Sequence, residues 1–218
     1  MFLSNEEYVH VMGILDGTIR KTPLQDELAD WTKREIGVDV YAYFCDYART
    51  GLLRLKIVLW DSREKRKLEY HSVKEFGNDP EIQKRFQVQF AALAGKYGVH
   101  PEYQNGSSFW VCYETVEDEI QKRILQAERE KILGLASGQR DIWKIEIIFS
   151  GVHIFYQTDE QIQLHETDGV SDRLRRSCMD IVRSYDKFGV FSQGVPCVFT
   201  SKQTLDEKYG GSMFNYIR

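Results

Sequence analysis

The 218-residue chain is 42% hydrophobic, which is enough to bury one large core or two smaller ones. Its formal net charge is −4 and its basic clusters, Arg63–Lys67 and Arg173–Arg176, are short, which argues against binding nucleic acid mainly through phosphates. No apolar run approaches the roughly 20 residues of a membrane span and no signal peptide is recognisable, so we expect a cytoplasmic protein without a membrane partner.

The first half predicts helices around one sheet. Ser4–Glu7 and Thr22–Gln25 have the spacing of capping boxes, and Asp79-Pro80 is an N-cap followed by proline at the first helical position. A hairpin that places Cys45 opposite Leu53 would gather the apolar residues of two strands on one face. The predicted elements are helices 5–15 and 23–36, strands 38–47, 52–60 and 67–73, helix 80–97 and strand 107–115.

The second half predicts a similar order of elements. Its first helix is strongly charged, and three strands rich in β-branched and aromatic residues follow it. The predicted elements are helix 116–135, strands 142–149, 152–157 and 161–166, helix 171–188, strand 196–200, a helical turn at 203–208 and a last strand at 212–217.

Short segments of the two halves match in the same order. The matches are Lys96–Val99 with Lys187–Val190, Asp39–Tyr41 with Asp141–Trp143, Phe109-Trp110 with Val198-Phe199, and Glu114–Asp118 with Gln203–Glu207. They predict an α+β protein of two degenerate repeats, 1–115 and 116–218, each an antiparallel meander covered by a helix on one face. The alternative is that Lys-aromatic-Gly-Val is a common helix C-cap composition met twice by chance. A groove between two such repeats would be a natural binding site.

Two predicted turns set the strand register in the second half. A two-residue turn at Ser150-Gly151 pairs Phe149 with Val152, and a three-residue turn at Thr158–Glu160 pairs Ile154 with Leu164. One face is then wholly apolar, is extended by Trp143, and is expected to pack on helix 171–188. The other face carries three mixed rows: Ile148–His153–His165, Glu146–Phe155–Gln163 and Lys144–Gln157–Gln161.

On that mixed face, His153 is predicted opposite His165, with Glu146 diagonal to His153. Two imidazoles and a carboxylate could hold a metal ion or perform acid–base catalysis. The alternative is an exposed polar pair, and no short-spaced histidine motif supports the metal hypothesis.

Catalytic and cofactor signatures are missing from the sequence. There is no G-x-S-x-G, no G-x-x-x-x-G-K-[ST] and no G-x-G-x-x-G, and the four cysteines are far apart, which favours buried, reduced thiols and no cofactor. We therefore predict a non-catalytic protein that binds a protein partner through the groove between the repeats or the mixed face. The predicted partner contacts are Lys144, Phe155, Gln157 and Gln163. The alternatives are a metal-binding protein or enzyme centred on His153, and nucleic-acid binding through Arg173, Arg175 and Arg176.

Overall fold

The computed structural model describes residues 3–71, 76–104 and 108–218, which form two compact units, Met1–Glu119 and Ile120–Arg218. Each unit combines helices with a three-stranded sheet, so the predicted α+β class is confirmed. The predicted division after Thr115 precedes the observed one by about one helical turn. Among the described residues, no helix is long and apolar enough to cross a membrane.

The first unit begins with the two helices that its capping boxes predict. The Glu7 backbone N–H donates to the Ser4 hydroxyl and the Gln25 N–H to the Thr22 hydroxyl, each at 3.2 Å. Its elements are α1 (Asn5–Leu15), α2 (Pro23–Glu35), β1 (Val40–Tyr47), β2 (Leu53–Leu59), α3 (Ser62–Arg66), β3 (Glu69–His71), β4 (Phe76–Asn78), α4 (Pro80–Tyr97), a single 3-10 turn (Pro101–Tyr103), β5 (Trp110–Thr115) and the start of α5 (Val116–Ala127). Parts of the predicted strands 67–73 and 107–115 lie outside the described residues.

The main sheet of the first unit has the order β1-β2-β5, with β1 antiparallel and β5 parallel to β2. Cys45 lies opposite Leu55, whereas the predicted partner Leu53 lies opposite Tyr47. The predicted register is thus wrong by two residues, which keeps every side chain on its predicted face because successive side chains alternate. The parallel third strand follows from the crossover through α4.

Helices α2 and α4 cover one face of this sheet and form the core of the first unit with it. Leu28, Leu55, Ile57, Phe86 and Phe90 are completely buried there. Burial of large apolar side chains is the main favourable contribution to folding, so this layer dominates the stability of the unit.

Helix α1 contacts the opposite face of the first sheet. The Lys56 ammonium group lies 2.7 Å from both carboxylate oxygens of Glu7, and the side chains are only 4% and 13% exposed. The His10 and Phe44 rings meet edge to face nearby, with centroids 5.7 Å apart. A nearly buried ion pair therefore joins α1 to the sheet.

The second unit contains more helix than the sequence predicts. Its elements are α6 (Arg129–Gly134), β6 (Ile142–Ile148), β7 (Gly151–Tyr156), α7 (Asp159–Thr167), α8 (Val170–Val182), β8 (Cys197–Ser201), α9 (Lys202–Tyr209) and α10 (Met213–Ile217), after the remainder of α5. The predicted helix 116–135 is two helices, α5 and α6, which are separated at Glu128.

The predicted strands 161–166 and 212–217 are wrong, because both segments are helical. Thr158 and Gln161 form a capping box that begins α7, and the Ser212 hydroxyl accepts the Asn215 N–H at the start of α10. Each segment carries its own helix-initiating signal, and that signal outweighs the alternation of apolar residues that suggested a strand.

The sheet of the second unit has the order β6-β7-β8, with β7 antiparallel to β6 and parallel to β8. The hairpin turn is Phe149-Ser150, since Ile148 pairs with Gly151 and Phe149 takes a positive φ of 55°. The predicted turn one residue later, and the pairing of Phe149 with Val152, are therefore wrong. Because the third strand is parallel in both units, the predicted antiparallel meanders are instead mixed sheets.

Helix α8 lies against one face of this sheet, which we call the inner face. The Tyr156 hydroxyl lies 3.0 Å from that of Ser171, and the Arg175 guanidinium lies 4.6 Å from the centre of the Phe199 ring. Ile145 and Ile154, which pair across the strands, are almost completely buried on the same face. The part of the predicted apolar face that lies on β6 and β7 thus packs on α8, and the predicted helix 171–188 ends earlier, at Val182.

Candidate functional site

The outer face of the second sheet, opposite α8, carries the residues that the sequence predicts as functional. Glu146 lies directly opposite His153, which lies beside Val198, and Lys144 lies opposite Phe155. We define the outer face by its six side chains: Lys144, Glu146, His153, Phe155, Val198 and Thr200.

The structure does not assemble the predicted site of His153, His165 and Glu146. His165 lies on α7, where its Nδ1 and Nε2 are each 3.0 Å from a carboxylate oxygen, of Asp168 and Asp141 respectively. The predicted pair requires a strand at 161–166, and that segment is a helix. In the part of the chain that the structure describes, no group of three or more His, Cys, Asp or Glu side chains is placed to hold a metal ion.

His153 is instead held by the C-terminal helix. Its Nδ1 lies 2.8 Å from the Tyr216 hydroxyl oxygen, and the two rings meet nearly at right angles with centroids 5.5 Å apart. Burial lowers the pKa of the His153 imidazole from its ordinary value, because the charged form loses hydration. This histidine therefore positions α10 on the sheet.

Glu146 is engaged by two basic side chains. Its carboxylate lies 2.6 Å from the Lys144 ammonium and 3.2 Å from the Arg129 guanidinium. Burial raises the pKa of Glu146, but the two basic partners outweigh burial and hold it below its ordinary value. A carboxylate that is ionised and paired in this way is a weak general base.

A row of aromatic rings crosses the outer face. Phe155 meets Trp143 on one side and Tyr216 on the other, with centroids 5.9 and 5.2 Å away, and Tyr209 follows Tyr216 at 5.3 Å. Trp143 lies at the break in register between Ile142 and Lys144 and is 37% exposed. The prediction that Trp143 extends the inner face is wrong, because this bulge turns its indole towards Phe155.

Two ammonium groups flank the exposed indole. The Lys144 and Lys202 nitrogens lie 5.9 and 5.8 Å from the centre of the Trp143 ring. We call Trp143, Lys144, Phe155 and Lys202 the Trp143 cluster. No local pattern in the sequence points to Lys202, because only the parallel pairing of β8 with β7 brings the start of α9 close to Trp143.

The predicted partner contacts separate into three places. Lys144 belongs to the outer face, and Phe155 belongs to it too but is completely buried. Gln157 follows β7 and donates its N–H to the Asp141 carbonyl oxygen at 2.9 Å. Gln163 is exposed on α7. The four residues therefore do not form one surface patch.

The predicted basic cluster on α8 is mixed with carboxylates. Arg175 donates to Glu166 at 2.8 Å and to Asp172 at 2.6 Å, and it also covers the Phe199 ring. Arg173 and Arg176 are exposed on the same helix. The local charge available to a phosphate backbone is thus smaller than three arginines suggest.

The first unit contains a competing cleft of about 470 Å³ beside Tyr41 and Trp60. Its five charged lining residues are three acids and two bases, and Arg63 is already paired with Asp61 at 2.5 Å. The cleft therefore has an acidic excess, whereas basic side chains lie around the Trp143 ring.

No protein-family model matches the chain, and neither a curated protein nor a solved structure matches it.

Proposed function

We propose that the protein is a non-catalytic binding protein, and that the Trp143 cluster, beside the outer face, binds a partner protein through a segment bearing carboxylates and apolar side chains. The observation that carries this proposal is the exposed Trp143 indole between the Lys144 and Lys202 ammonium groups. Tryptophan is enriched among the residues that contribute most to protein interfaces, because it buries a large rigid surface.

The charge around Trp143 supports an acidic partner. Three basic groups, Arg129, Lys144 and Lys202, meet two acidic ones, Glu146 and Asp206. This local positive excess occurs on a chain whose formal net charge is −4. Complementary charge favours encounter with carboxylates and disfavours unsuitable partners.

The state of the titratable groups supports binding in preference to catalysis. Glu146 is held by two basic side chains, and His153 by Tyr216. A catalytic acid or base needs a reachable proton and a pKa near the working pH, and neither group combines the two.

We also propose that the two units derive from one duplicated ancestor. The two sheets have the same strand order and directions, and β1 and β6 each break register after their first paired residue, between Val40 and Ala42 and between Ile142 and Lys144. Corresponding backbone bonds follow, from the Glu117 N–H to the Trp60 carbonyl oxygen and from the Gln203 N–H to the Gln157 carbonyl oxygen. By this correspondence Tyr41 occupies the place of Trp143, with the Lys21 ammonium 5.6 Å from its ring centre, and Ala42 occupies the place of Lys144.

The partner can be tested by quantitative capture from lysate of the source organism with the full chain and matched variants. Trp143→Ala and the charge reversal Lys144→Glu/Lys202→Glu remove the indole or its flanking charge. The matched control is Tyr185→Ala with Lys131→Glu, because Tyr185 is 50% exposed and the Lys131 ammonium lies 5.8 Å from its ring. Tyr185 and Lys131 thus form a second exposed aromatic ring with a nearby ammonium group, and they lie away from the outer face.

We expect one protein to be captured in near-equal amount by the parent chain and by the control. Its binding should weaken about tenfold or more with either test variant, as expected for the loss of an aromatic contact or of two favourable charges. A partner that binds all variants equally contradicts the Trp143 cluster as the binding site. Capture of nucleic acid that is lost with Arg173→Glu/Arg176→Glu would favour the α8 alternative.

A further inference from the structure

Two cysteines that are far apart in the sequence meet on the inner face of the second sheet. Cys178, on α8, and Cys197, on β8, lie on the two surfaces that pack against each other, and each thiol shifts the pKa of the other. Their placement follows from the packing of α8 on β8, since Arg175, one turn before Cys178, covers Phe199, two residues after Cys197. Residues three apart on a helix, and two apart on a strand, lie on the same face.

The two thiols differ in accessibility. Cys178 is completely buried, whereas Cys197 is partly exposed. The neighbouring Cys178 thiol lowers the pKa of the Cys197 thiol, burial opposes this, and the Arg175 charge reinforces it. The Cys197 thiol and burial raise the pKa of Cys178. A partly exposed thiol beside a buried second thiol is the arrangement of an attacking and a resolving cysteine.

The other two cysteines provide an internal comparison. Cys45 lies opposite Leu55, and Cys112 lies beside Lys56, the next residue of β2. Cys45 and Cys112 therefore lie on opposite faces of the first sheet and cannot bond to each other without rearrangement. Burial raises the pKa of each of these thiols to about 12.

We propose that Cys178 and Cys197 form a reversible disulfide when the protein meets a peroxide. The Cys197 thiolate attacks one peroxide oxygen, the O–O bond breaks, and Cys197 becomes a sulfenic acid while hydroxide leaves with the proton that Cys197 had lost. The Cys178 thiol then attacks the Cys197 sulfur, forms the S–S bond and releases water. In sum, two thiols and one hydrogen peroxide give one disulfide and two waters, and a dithiol reductant reverses the oxidation.

The bond would fasten α8 to β8 on the side of the sheet opposite the exposed Val198. This modification site is independent of the proposed partner, because it rests on the inner face of the sheet.

The test treats the folded, full-length protein with hydrogen peroxide, removes the peroxide with catalase, and then alkylates the remaining thiols after unfolding. We expect two of the four thiols to become unavailable to the alkylating reagent. Peptide mass mapping should identify one cross-link, between the peptides of Cys178 and Cys197, and dithiothreitol should restore all the thiols.

Matched variants separate this pair from general oxidation. Cys45→Ser and Cys112→Ser should still form the cross-link, whereas Cys178→Ser should leave a Cys197 sulfenic acid that dimedone traps. The proposal is overturned if the parent protein keeps all its thiols, if its disulfides form between molecules, or if Cys197 is oxidised to a sulfinic acid while Cys178 remains a thiol. Each of these three outcomes is measured on the parent protein, so the test does not depend on the folding of a variant.

Discussion

His153 and Tyr216 join the last helix of the chain to the second sheet through a contact of 2.8 Å between Nδ1 and the hydroxyl oxygen. In the first unit, Lys56 lies on the middle strand between β1 and β5, at the position that corresponds to His153. Its ammonium group donates to the Glu7 carboxylate of α1. In both units the middle strand thus carries one polar side chain that holds a covering helix. The two contacts differ in charge, so they should respond differently to pH and to substitution.

The His153 contact predicts that the second unit loses stability in mild acid. Because burial lowers the folded-state pKa of His153, the unfolded chain binds more protons below about pH 6.5. The contribution of His153 to the free energy of unfolding is therefore complete above that pH. It is lost as the pH falls towards the pKa of His153 in the folded state. Urea unfolding of the parent chain and of His153→Gln should show a smaller pH dependence of the free energy of unfolding for the variant, and an unchanged pH dependence in that variant would contradict the prediction.

Tyr216→Phe is the matched control for this pH effect. It removes the hydroxyl and keeps the ring over His153 and Phe155. We expect it to lower the free energy of unfolding by about 1 kcal/mol, the net worth of one hydrogen bond, at every pH. The acid-dependent loss should persist, because burial is its cause.

The Lys56 and Glu7 pair predicts a large cost when only one partner is removed. Lys56→Met leaves the nearly buried Glu7 carboxylate without its charged partner, with the Ser4 N–H still bonded to it, which should lower the free energy of unfolding of the first unit by about 3 kcal/mol. The double variant Lys56→Met/Glu7→Gln should recover part of that loss. Urea unfolding of both variants measures the difference, and a single variant that loses less than about 1 kcal/mol would mean that water already solvates the pair.

Phe90 is expected to be the most sensitive core position of the first unit. It is completely buried on α4, and its ring centre lies 5.0 Å from that of Tyr43, 5.5 Å from that of Tyr103 and 6.2 Å from that of Phe109. Phe90→Ala removes these contacts and leaves a cavity, so it should cost about 3 to 5 kcal/mol.

Val88→Ala on the same helix is the control for Phe90. Val88 is 65% exposed, so its truncation should change the free energy of unfolding by less than about 0.5 kcal/mol. Thermal or urea unfolding compares the two variants. Equal losses would show that helix propensity, and not the core, limits the stability of the first unit.

The sequence by itself determined the features that depend on neighbours a few residues apart. Ser4 and Glu7 are sufficient to begin α1, and Asp79 with Gly98 bounds α4, whose C-cap takes the positive φ that glycine allows. The alternation of apolar residues assigned most strand side chains to the correct face, and this survived errors of two residues in register.

The segment 161–166 shows where local signals conflict. Ile162 and Leu164 alternate as in a strand, while Thr158 and Gln161 have the spacing of a capping box. The capping box begins α7, so the predicted turn and strand are wrong, and with them the predicted pair of His153 and His165. A helix signal at a segment boundary deserves more weight than a short alternation.

Only the tertiary structure decided which distant residues meet. The turn of Trp143 towards Phe155, the approach of Lys202 to its ring, and the contact of Cys178 with Cys197 all depend on how helices and strands pack after the chain has crossed the sheet. Such contacts join residues that no local pattern relates, because they result from the burial of whole faces and the direction of the third strand. Local hydrogen bonding fixed the elements of this protein, and packing between elements created both of its proposed sites.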